Sequence, residues 1–462
     1  MTHPVAFLNL VGLSPALIGE HTPVIAEFAR RSGGVRTLRP SLPAVTTTVQ
    51  SSMFTGVEPS THGIVGNGWF NREHQEVQFW KQSNRLVQSE KVWETAKKHD
   101  PAFTCANICC WYAMYSSCDY TVTPRPIYCA DGRKIPDCWT HPPELRDQLQ
   151  RSLGRFPLFK FWGPGAGIES TRWIADAAMR VHRDHNPTML LVYLPHLDYG
   201  LQKLGPGHED VPYLLKELDH EVGRLIEYFD RKGMRTMIAS EYGIVPVDDA
   251  IALNRVLRKA GLLTIRTELG RELLDAGESE AFAVADHQVA HVYIRNPEHL
   301  DSVANIISDV PGVDHVITGE EKTHAGIDHE RAGELVVVAE RNRWFCHDWW
   351  DEDSKAPDYQ RTVEIHKKPG YDPRELFIDP NIRFPKMKIA AKLLSKKLGF
   401  RTMMDVIPLD TSLVGGSHGR VHQPLGWDPV LITEAAANIS EEEDGRIPCT
   451  AVRDLLLSML FN

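Results

Sequence analysis

The sequence predicts an α/β fold, a doubly wound and mainly parallel sheet flanked by helices. Three amphipathic helix patterns are each followed by an apolar run, and helices that alternate with strands in this way are typical of parallel βαβ connections. The three pairs are residues 92–98 and 104–110, 173–182 and 188–194, and 217–229 and 236–239. Reactive groups on such a sheet are expected just beyond the carboxyl ends of its strands.

The first apolar run, residues 5–11, ends at Gly12 and is followed by Ser14 and Pro15. This pattern predicts a buried strand that leads into a loop and a helix. The chain has 462 residues, of which 42% are hydrophobic and 24% are charged, so it is long enough for a large globular core. Its formal net charge of −10 argues against a protein that coats nucleic acid.

The middle of the chain has a different pattern, with a short helix followed by strands that polar segments connect. The helix is predicted at residues 254–263, and the strands at 281–294, 312–317 and 333–339. We therefore expect residues 1–250 and 400–462 to form the α/β core. Residues 251–399 are expected to form an inserted, smaller α+β cap region that covers the sheet edge and shapes substrate access.

Six of the eight cysteines lie between positions 105 and 138, and none belongs to a CxxC pair, which predicts buried free thiols. The N-terminus lacks a basic region, and its apolar run is too short to cross a bilayer. We expect a cytoplasmic protein without a membrane partner. The Trp- and Asp-rich segment 344–353 is compatible with a lid, a partner surface or buried packing.

Residues 43–67 contain three consecutive threonines, 46–48, before a Ser-rich stretch that is predicted to begin a helix. Hydroxyl groups and the free N–H groups of the helix would then point to the same place. This arrangement suits an alkoxide nucleophile beside an anion-binding site. On these residues alone, simple helix capping is the more common explanation.

The same stretch resembles the nucleophile region of the type I phosphodiesterase and nucleotide pyrophosphatase family, within the alkaline phosphatase superfamily. In that family a threonine lies ten residues before the glycine of a Thr-Gly pair, and a segment similar to HGIVGN follows. Thr46 has this spacing, and residues 62–67 read HGIVGN. The resemblance implies an alkaline phosphatase-like fold, Thr46 as nucleophile and Asn67 as donor to a phosphate oxygen. Thr47 or Thr48 takes the role of Thr46 if the local register shifts.

Two further motifs of the family resemble segments later in the chain. The family's Asp-x-x-x-His-x-x-Gly-Pro is similar to residues 198–206, which keep Asp198 and have Gln202 where the family has histidine. The family's late His-Gly is kept unchanged at His418 and Gly419. The resemblance implies one metal site built from Asp198, Gln202 and His418.

The second metal site departs further from the family pattern. The family's Ser-Asp-His-Gly reads here as Ser-Glu-Tyr-Gly, with Glu241 and Tyr242. Its N-terminal Asp-Gly corresponds to Asn9 when the strand is aligned by its apolar run, and to Val11 when it is aligned by the glycine. The resemblance implies a second site of Asn9, Thr46, Glu241 and Tyr242.

The resemblance implies one or two divalent metal ions, of Zn, Mn or Mg, and no organic cofactor. Two carboxylates remain where the family pattern has three, and amide or phenol oxygen is a poorer ligand than carboxylate or imidazole. We therefore expect weakened metal binding. His287 and His291, four residues apart and on one face of a strand or helix, are candidate compensating ligands. Arg420 is the candidate for binding the substrate phosphate.

The resemblance implies a metal-dependent hydrolase of a phosphate ester, phosphodiester or phosphoanhydride that forms a phosphothreonine intermediate. The expected partner is a small phosphorylated substrate and not a nucleic acid polymer, and a homo-oligomer is compatible with the sequence. One alternative is a catalytically silent or rewired relative that acts as a binding or scaffold protein; in the rewired form Glu241 or Tyr242 does acid–base work. The other alternative is a phosphonate hydrolase or phosphomutase on the same scaffold.

Overall fold

The computed structural model describes residues 2–435 and 441–462. The strands, numbered along the chain, are β1 Val5–Leu10, β2 Arg36–Arg39, β3 Gly68–Asn71, β4 Glu76–Phe79, β5 Cys105–Ile108, β6 Tyr120–Pro124, β7 Ile127–Tyr128, β8 Lys134–Ile135, β9 Cys138–His141, β10 Met189–Leu194, β11 Arg235–Ala239, β12 Val245–Pro246, β13 Asp249–Ile251, β14 Ile265–Glu268, β15 Arg271–Leu274, β16 Ala281–Asp286, β17 Val289–Ile294, β18 Val313–Ile317, β19 Leu335–Ala339, β20 Arg343–Phe345, β21 Gly416–Ser417, β22 Val430–Ile432 and β23 Ile447–Pro448. The α-helices are α1 Pro23–Arg31, α2 Thr46–Thr55, α3 Pro59–His62, α4 Val92–His99, α5 Glu144–Leu153, α6 Leu158–Phe161, α7 Ile168–His185, α8 His196–Leu204, α9 Val211–Arg231, α10 Leu253–Lys259, α11 Leu300–Ser308, α12 Glu320–His324, α13 Pro385–Lys397 and α14 Ala451–Phe461.

The central sheet has nine strands in the order β23-β2-β22-β11-β1-β10-β5-β6-β9. Its middle is parallel, because β1 pairs in parallel with β10 and β11, and β5 with β10 and β6. Antiparallel pairing occurs where β22 meets β2 and β11 and where β9 meets β6. The predicted mainly parallel α/β sheet is thus confirmed, and its four predicted strands are β1, β5, β10 and β11.

The two central strands are buried along their whole length, which explains why they are nearly continuous apolar runs. Every residue of β1 and β10 is buried. Strands of a parallel sheet are covered by helices on both faces, so neither face requires a polar residue. The one polar side chain in β1 is Asn9, at its carboxyl end. Its place in an otherwise apolar strand marks it as a functional candidate.

Residues 281–339 contain a second, antiparallel sheet of four strands in the order β16-β17-β19-β18. The prediction of one strand over residues 281–294 was wrong, because a tight turn at His287 and Gln288 divides it into the hairpin β16–β17. His287 has a positive φ of 62°, the left-handed conformation that such turns use. Because apolar residues stand on both sides of this turn, hydrophobic periodicity does not reveal it. The domain boundaries at residues 250 and 400 stay a prediction.

Burial shows the structural role of the Trp- and Asp-rich segment 344–353 and the state of the clustered cysteines. Trp344, Trp349 and Trp350 are at most 1% exposed, so the Trp- and Asp-rich segment provides packing and not a lid. The clustered cysteines are free thiols, all buried except the half-buried Cys129, as predicted. Within the described ranges, no helix combines the length and the apolar character needed to cross a membrane.

Candidate active site

Four separate segments meet at the carboxyl end of the central strands. Asn9 is near the end of β1, Thr46 begins α2, and Asp198 lies in the first turn of α8, which follows β10. Glu241 and Tyr242 directly follow β11. All of these side chains are buried, with at most 6% of their surface exposed. The site lies where a doubly wound sheet is expected to carry its reactive groups.

A chain of hydrogen bonds joins Thr46 to Asp198. The Tyr242 hydroxyl donates to Asp198 Oδ1 at 3.1 Å and lies 3.0 Å from Thr46 Oγ1. Because the Tyr242 proton is used on Asp198, the Thr46 hydroxyl donates to the Tyr242 oxygen. Gln202, one turn along α8, donates from Nε2 to Asp198 Oδ2 at 2.9 Å. Both oxygens of the carboxylate are therefore engaged.

The neighbouring threonines have other surroundings. The Thr47 hydroxyl donates to the Gly66 carbonyl at 2.7 Å. The buried Thr48 hydroxyl has no hydrogen-bond partner in the described part of the chain. Of the three threonines, Thr46 is the one whose hydroxyl joins the hydrogen-bonded chain to Asp198.

His418 reaches the same place from near the far end of the chain. The backbone around it is fixed on two sides: Ala44 N donates to the Gly419 carbonyl, and Gln288 N donates to the His418 carbonyl, both at 2.8 Å. Gly419 has a φ of +130°, and a Cβ there would lie 2.9 Å from Gln288 N, so the position requires glycine. The pairing of Ala44 with Gly419 therefore holds His418 next to the start of α2, which carries Thr46.

The His418 ring is fixed by stacking and by one hydrogen bond. It stacks on the ring of Tyr242, with 3.5 Å between ring centroids. Nδ1 donates to the Ala44 carbonyl at 2.8 Å, while Nε2 lies 3.8 Å from Asp198 Oδ1. Burial holds the pKa of His418 well below its usual range, so the ring is neutral. Its Nε2 has no hydrogen-bond partner among the described residues and faces the Asp198 carboxylate.

Glu241 is held by two amides on the other side of Thr46. Asn9 Nδ2 and Gln50 Nε2 both donate to Glu241 Oε1 at 2.5 Å, and Oε2 has no partner among the described residues. Burial raises the pKa of Glu241 to about 8, although the hydrogen bonds oppose that rise. Burial also raises the pKa of Asp198 to about 7. Both carboxyl groups thus change protonation near neutral pH.

The raised pKa of Glu241 predicts how stability depends on pH. The folded chain holds a proton on Glu241 up to about pH 8, whereas an unperturbed glutamate releases it near 4.5. Between these values the folded state binds more protons than the unfolded state, so the free energy of unfolding falls as the pH rises. We expect Glu241→Gln to make the pH dependence of the melting temperature shallower in this window. Thermal unfolding at several pH values measures this; the exposed Glu340→Gln is the control, and an unchanged slope in Glu241→Gln contradicts the assignment.

His287, a candidate compensating ligand, does reach the site. Its ring stacks on Tyr371 with 3.6 Å between ring centroids, and it lies tilted by 37° against the His418 ring at 3.8 Å. Nδ1 lies 2.8 Å from Asp286 Oδ1, and Nε2 has no partner in the described part of the chain. The turn between β16 and β17 therefore brings one imidazole from the second sheet against His418 of the site.

Asn67 is positioned by the same turn. Its backbone N donates to Asp286 Oδ2 at 2.8 Å, and its Nδ2 donates to Asp286 Oδ1 at 3.0 Å. Its Oδ1 accepts from Thr47 N at 3.2 Å, in the first turn of α2. Burial raises the pKa of Asp286 to about 7. Asn67 thus connects α2 to the second sheet, and its role as a phosphate donor stays a prediction.

Two candidate residues have their contacts elsewhere. His291 donates from Nε2 to the Val65 carbonyl and accepts at Nδ1 from Gly333 N, so both ring nitrogens are used and it cannot compensate as a ligand. The expectation that His287 and His291 share a face was wrong because the turn separates them. Arg420 contacts the Ala339 carbonyl and pairs with Asp314 of β18 at 2.8 Å. Its recorded polar contacts are in the second sheet and not with Thr46.

Tyr371 is a site residue that the sequence reasoning missed. Its hydroxyl donates to Gln202 Oε1 at 2.7 Å, which directs the Gln202 amide group toward Asp198. The loop that carries it is fixed by a buried ionic network. Lys368 pairs with Asp372 and Glu375 at 2.9 and 2.8 Å. Tyr371 belongs to none of the sequence motifs described above. Its contacts with Gln202 and His287 identify it as a site residue.

The arrangement of these donors does not fit the metal centre that the resemblance implies. No group of three or more His, Cys, Asp or Glu side chains in residues 2–435 and 441–462 is placed to hold a metal ion. The Tyr242 hydroxyl fills the space between Thr46 and Asp198, and Asp198 already accepts two hydrogen bonds. Burial holds the pKa of Tyr242 well above its usual range, so it is a neutral phenol and not an anionic ligand.

Half-buried tryptophans surround this buried site. Trp80 and Trp162 lie 6.2 and 5.8 Å from Tyr371 between ring centroids, and Trp111 lies 5.0 Å from Trp80. Trp111 N also donates to Gln50 Oε1 at 2.6 Å, which connects it to Glu241. Thr46 itself is 5% exposed, so little of its side chain faces solvent.

The sequence of this chain is similar to those of known phosphodiesterases and pyrophosphatases. The model of the type I phosphodiesterase / nucleotide pyrophosphatase family matches residues 5–372. An uncharacterised pyrophosphatase/phosphodiesterase of Schizosaccharomyces pombe is 24% identical over 239 residues, which cover 49% of this chain and 42% of the yeast protein. The chain thus matches less than half the length of that relative.

Two solved structures share the fold over almost the whole chain. Phosphonoacetate hydrolase from Sinorhizobium meliloti, in complex with phosphonoformate, has a TM-score of 0.62 at 13% identity, with 99% of this chain and 96% of that chain covered. Murine ectonucleotide pyrophosphatase / phosphodiesterase 5, as an inactive Thr-to-Ala variant in complex with AMP, has a TM-score of 0.57 at 13% identity, with 99% and 94% covered. At these identities the likeness shows the fold, which is alkaline phosphatase-like.

Proposed function

Because the chain belongs to the type I phosphodiesterase / nucleotide pyrophosphatase family, we propose that it hydrolyses a phosphoric ester or anhydride with Thr46 as nucleophile. The observation that carries this proposal is the hydrogen-bonded chain from Thr46 through Tyr242 to Asp198. A hydroxyl becomes an effective nucleophile when a base within hydrogen-bond reach accepts its proton. The family is generally dependent on divalent metal ions, but this donor set does not fit a metal centre, so the steps below use the chain's own residues.

In the first step, Thr46 Oγ1 forms a bond to phosphorus while the bond to the leaving oxygen breaks. The Thr46 proton passes to the Tyr242 oxygen as the Tyr242 proton passes to Asp198. Tyr242 therefore stays neutral, which agrees with its raised pKa. A base is most effective when its pKa is near the working pH, and Asp198 meets this condition with a pKa of about 7.

In the second step, water adds to phosphorus and the bond between phosphorus and Thr46 breaks. The proton on Asp198 returns through Tyr242 to Thr46, and the proton that water loses neutralises the departed leaving group. The first N–H groups of a helix have no acceptor one turn back, and Thr47 N already donates to Asn67 Oδ1, so the N–H groups of Thr46 and Thr48 are the donors that α2 offers to phosphate oxygens.

Turnover of chromogenic substrates tests the proposal. We expect hydrolysis of a nitrophenyl phosphodiester, monoester or nucleotide ester, and a fall in kcat of at least about a hundredfold for Tyr242→Phe. The phenylalanine keeps the stacking on His418 but removes the hydroxyl. Tyr199→Phe is the matched control, since its hydroxyl makes no hydrogen bond recorded in the described residues. Equal turnover in Tyr242→Phe and wild type contradicts the proton path, and turnover of a phosphonate alone assigns the chain to phosphonate hydrolysis.

One observation favours a second candidate, a catalytically silent relative that binds phosphorylated ligands. The site side chains are buried, with the Tyr242 ring packed against His418 and its hydroxyl in contact with Thr46 and Asp198. Such a protein would bind the nitrophenyl esters or a nucleotide in calorimetry but release no product. Binding without turnover by the wild-type protein supports this candidate against the hydrolase.

A further inference from the structure

The helix α13 and its flanks form a positively charged surface on an otherwise acidic protein. Residues 383–403 contain seven Lys or Arg residues and no Asp or Glu. Subtracting these seven charges from the net charge of −10 leaves −17 on the rest of the chain. Unlike the rest of the chain, this segment carries a dense positive charge, and electrostatic attraction to an anionic surface would therefore orient the protein with α13 toward it.

An apolar stripe runs along the same helix and faces solvent. Met387, Ala390, Ala391, Leu394 and Leu398 follow the spacing i, i+3, i+4, i+7 and i+11, which places them on one face. All five are exposed, and no residue of α13 is buried. Met387, Leu394 and Leu398 are 69, 58 and 67% exposed. Helices of globular proteins normally turn such a stripe to the core, so this face is without its partner.

The ends of the helix extend the apolar surface. Phe384, just before α13, and Phe400, just after it, are 56 and 66% exposed. Arg401 NH2 donates to the Ala130 carbonyl at 2.9 Å, which links this end of the segment to the β7–β8 hairpin. That hairpin itself exposes Ile127 and Tyr128. Together these residues make an apolar area larger than one helix face.

The opposite side of α13 attaches it to the protein. Lys388 pairs with Asp405 at 3.3 Å, and Lys392 forms an ion pair with the same carboxylate. Ser395 Oγ lies 2.8 Å from Thr402 Oγ1. These contacts orient the helix and leave the stripe outward. Lys386 and Lys397 are exposed and lie beside the stripe, where they have no ion pair recorded in the described residues.

We infer that α13 is a docking surface for an anionic lipid bilayer, on which it lies parallel to the membrane plane. A basic helix with an exposed apolar face is the pattern of interfacial membrane helices, which bury apolar side chains near the headgroups while lysines meet anionic lipid. A second copy of the chain is disfavoured, because it would bring two strongly positive surfaces together. This inference replaces the sequence-based expectation of a protein without a membrane partner, and it does not depend on the proposed hydrolysis.

Vesicle sedimentation with the full-length protein tests the inference. We expect the protein to sediment with vesicles that contain phosphatidylserine and not with vesicles of phosphatidylcholine alone, and we expect binding to weaken at high salt. Leu394→Glu with Leu398→Glu, and separately Lys386→Gln with Lys397→Gln, are each expected to weaken binding at least about tenfold. All four side chains are solvent-accessible, so folding is expected to be unchanged, and circular dichroism checks it.

The matched control uses an exposed leucine and an exposed lysine away from α13, as Leu425→Glu with Lys259→Gln. This control is expected to bind as the wild type does. No sedimentation with phosphatidylserine vesicles, or binding that both α13 variants leave unchanged, overturns the inference. Self-association that Leu394→Glu abolishes, without vesicle binding, would assign the surface to a second copy and also overturns it.

Discussion

Thr46→Val is expected to lower kcat/KM for a nitrophenyl phosphodiester by at least about a thousandfold, because it removes the oxygen that attacks phosphorus in the proposed mechanism. Valine replaces the hydroxyl with a methyl group of similar volume, so the packing of α2 is kept. The Thr46 hydroxyl contacts Tyr242, and its loss leaves Tyr242 donating to Asp198. Steady-state kinetics measures the change, and thermal unfolding shows that the variant is folded.

Thr48→Val is the matched control for this substitution. Thr48 lies two residues along the same helix and is fully buried, and its hydroxyl makes no hydrogen bond within the described chain. Replacing an unpartnered buried hydroxyl with a methyl group is expected to leave stability equal or higher. Turnover close to that of the wild type is expected for Thr48→Val. Equal losses in the two variants would show that the effect comes from the helix and not from the Thr46 oxygen.

The variant that combines Asn9→Asp, Gln202→His and Tyr242→His is expected to gain a metal centre. These changes restore the family's ligand types at three positions that surround Asp198 and Glu241. Carboxylate and imidazole are better ligands for zinc than amide or phenol, and replacing tyrosine with histidine also vacates the space beside Thr46. We expect each restored ligand to raise the affinity for Zn²⁺ at least about tenfold.

Metal analysis after dialysis, together with titration calorimetry, measures the gain. Addition of Asp198→Asn to the triple variant is the control and is expected to lose the bound metal, because it removes a carboxylate from the same site. The wild-type protein is expected to bind Zn²⁺ more weakly than the triple variant. Tight, stoichiometric zinc in the wild type would contradict the conclusion that its donors do not fit a metal centre.

The fold could be predicted from the sequence wherever burial left an unbroken pattern. β1 and β10 are apolar along their length because helices cover both faces, so they were visible as apolar runs. The hairpin β16–β17 was not visible, because its turn at His287 and Gln288 uses polar residues without glycine or proline. Periodicity could not separate two buried strands across so short a turn.

The site could be predicted in part, because motifs report residue types at spacings but not the contacts between distant segments. Thr46, Asp198 and His418 were found through the motifs, and the structure brings them together. Tyr371 was missed because it lies in an irregular loop, and what places it is a buried ionic network that leaves no local pattern. The expectation that His291 is a candidate metal ligand was wrong. Its two ring nitrogens bond to the Val65 carbonyl and to Gly333 N, and no local sequence pattern shows these distant contacts.

The proposed mechanism requires covalent attack by Thr46, and mass spectrometry of an acid-quenched reaction tests this most directly. The protein is mixed with a chromogenic phosphodiester, quenched during turnover and digested, and the phosphorylated peptide is sequenced. We predict a phosphoryl adduct on Thr46 that is absent from Thr46→Val. Turnover by the wild type with no adduct on this residue, or with the adduct on another side chain, would contradict the account.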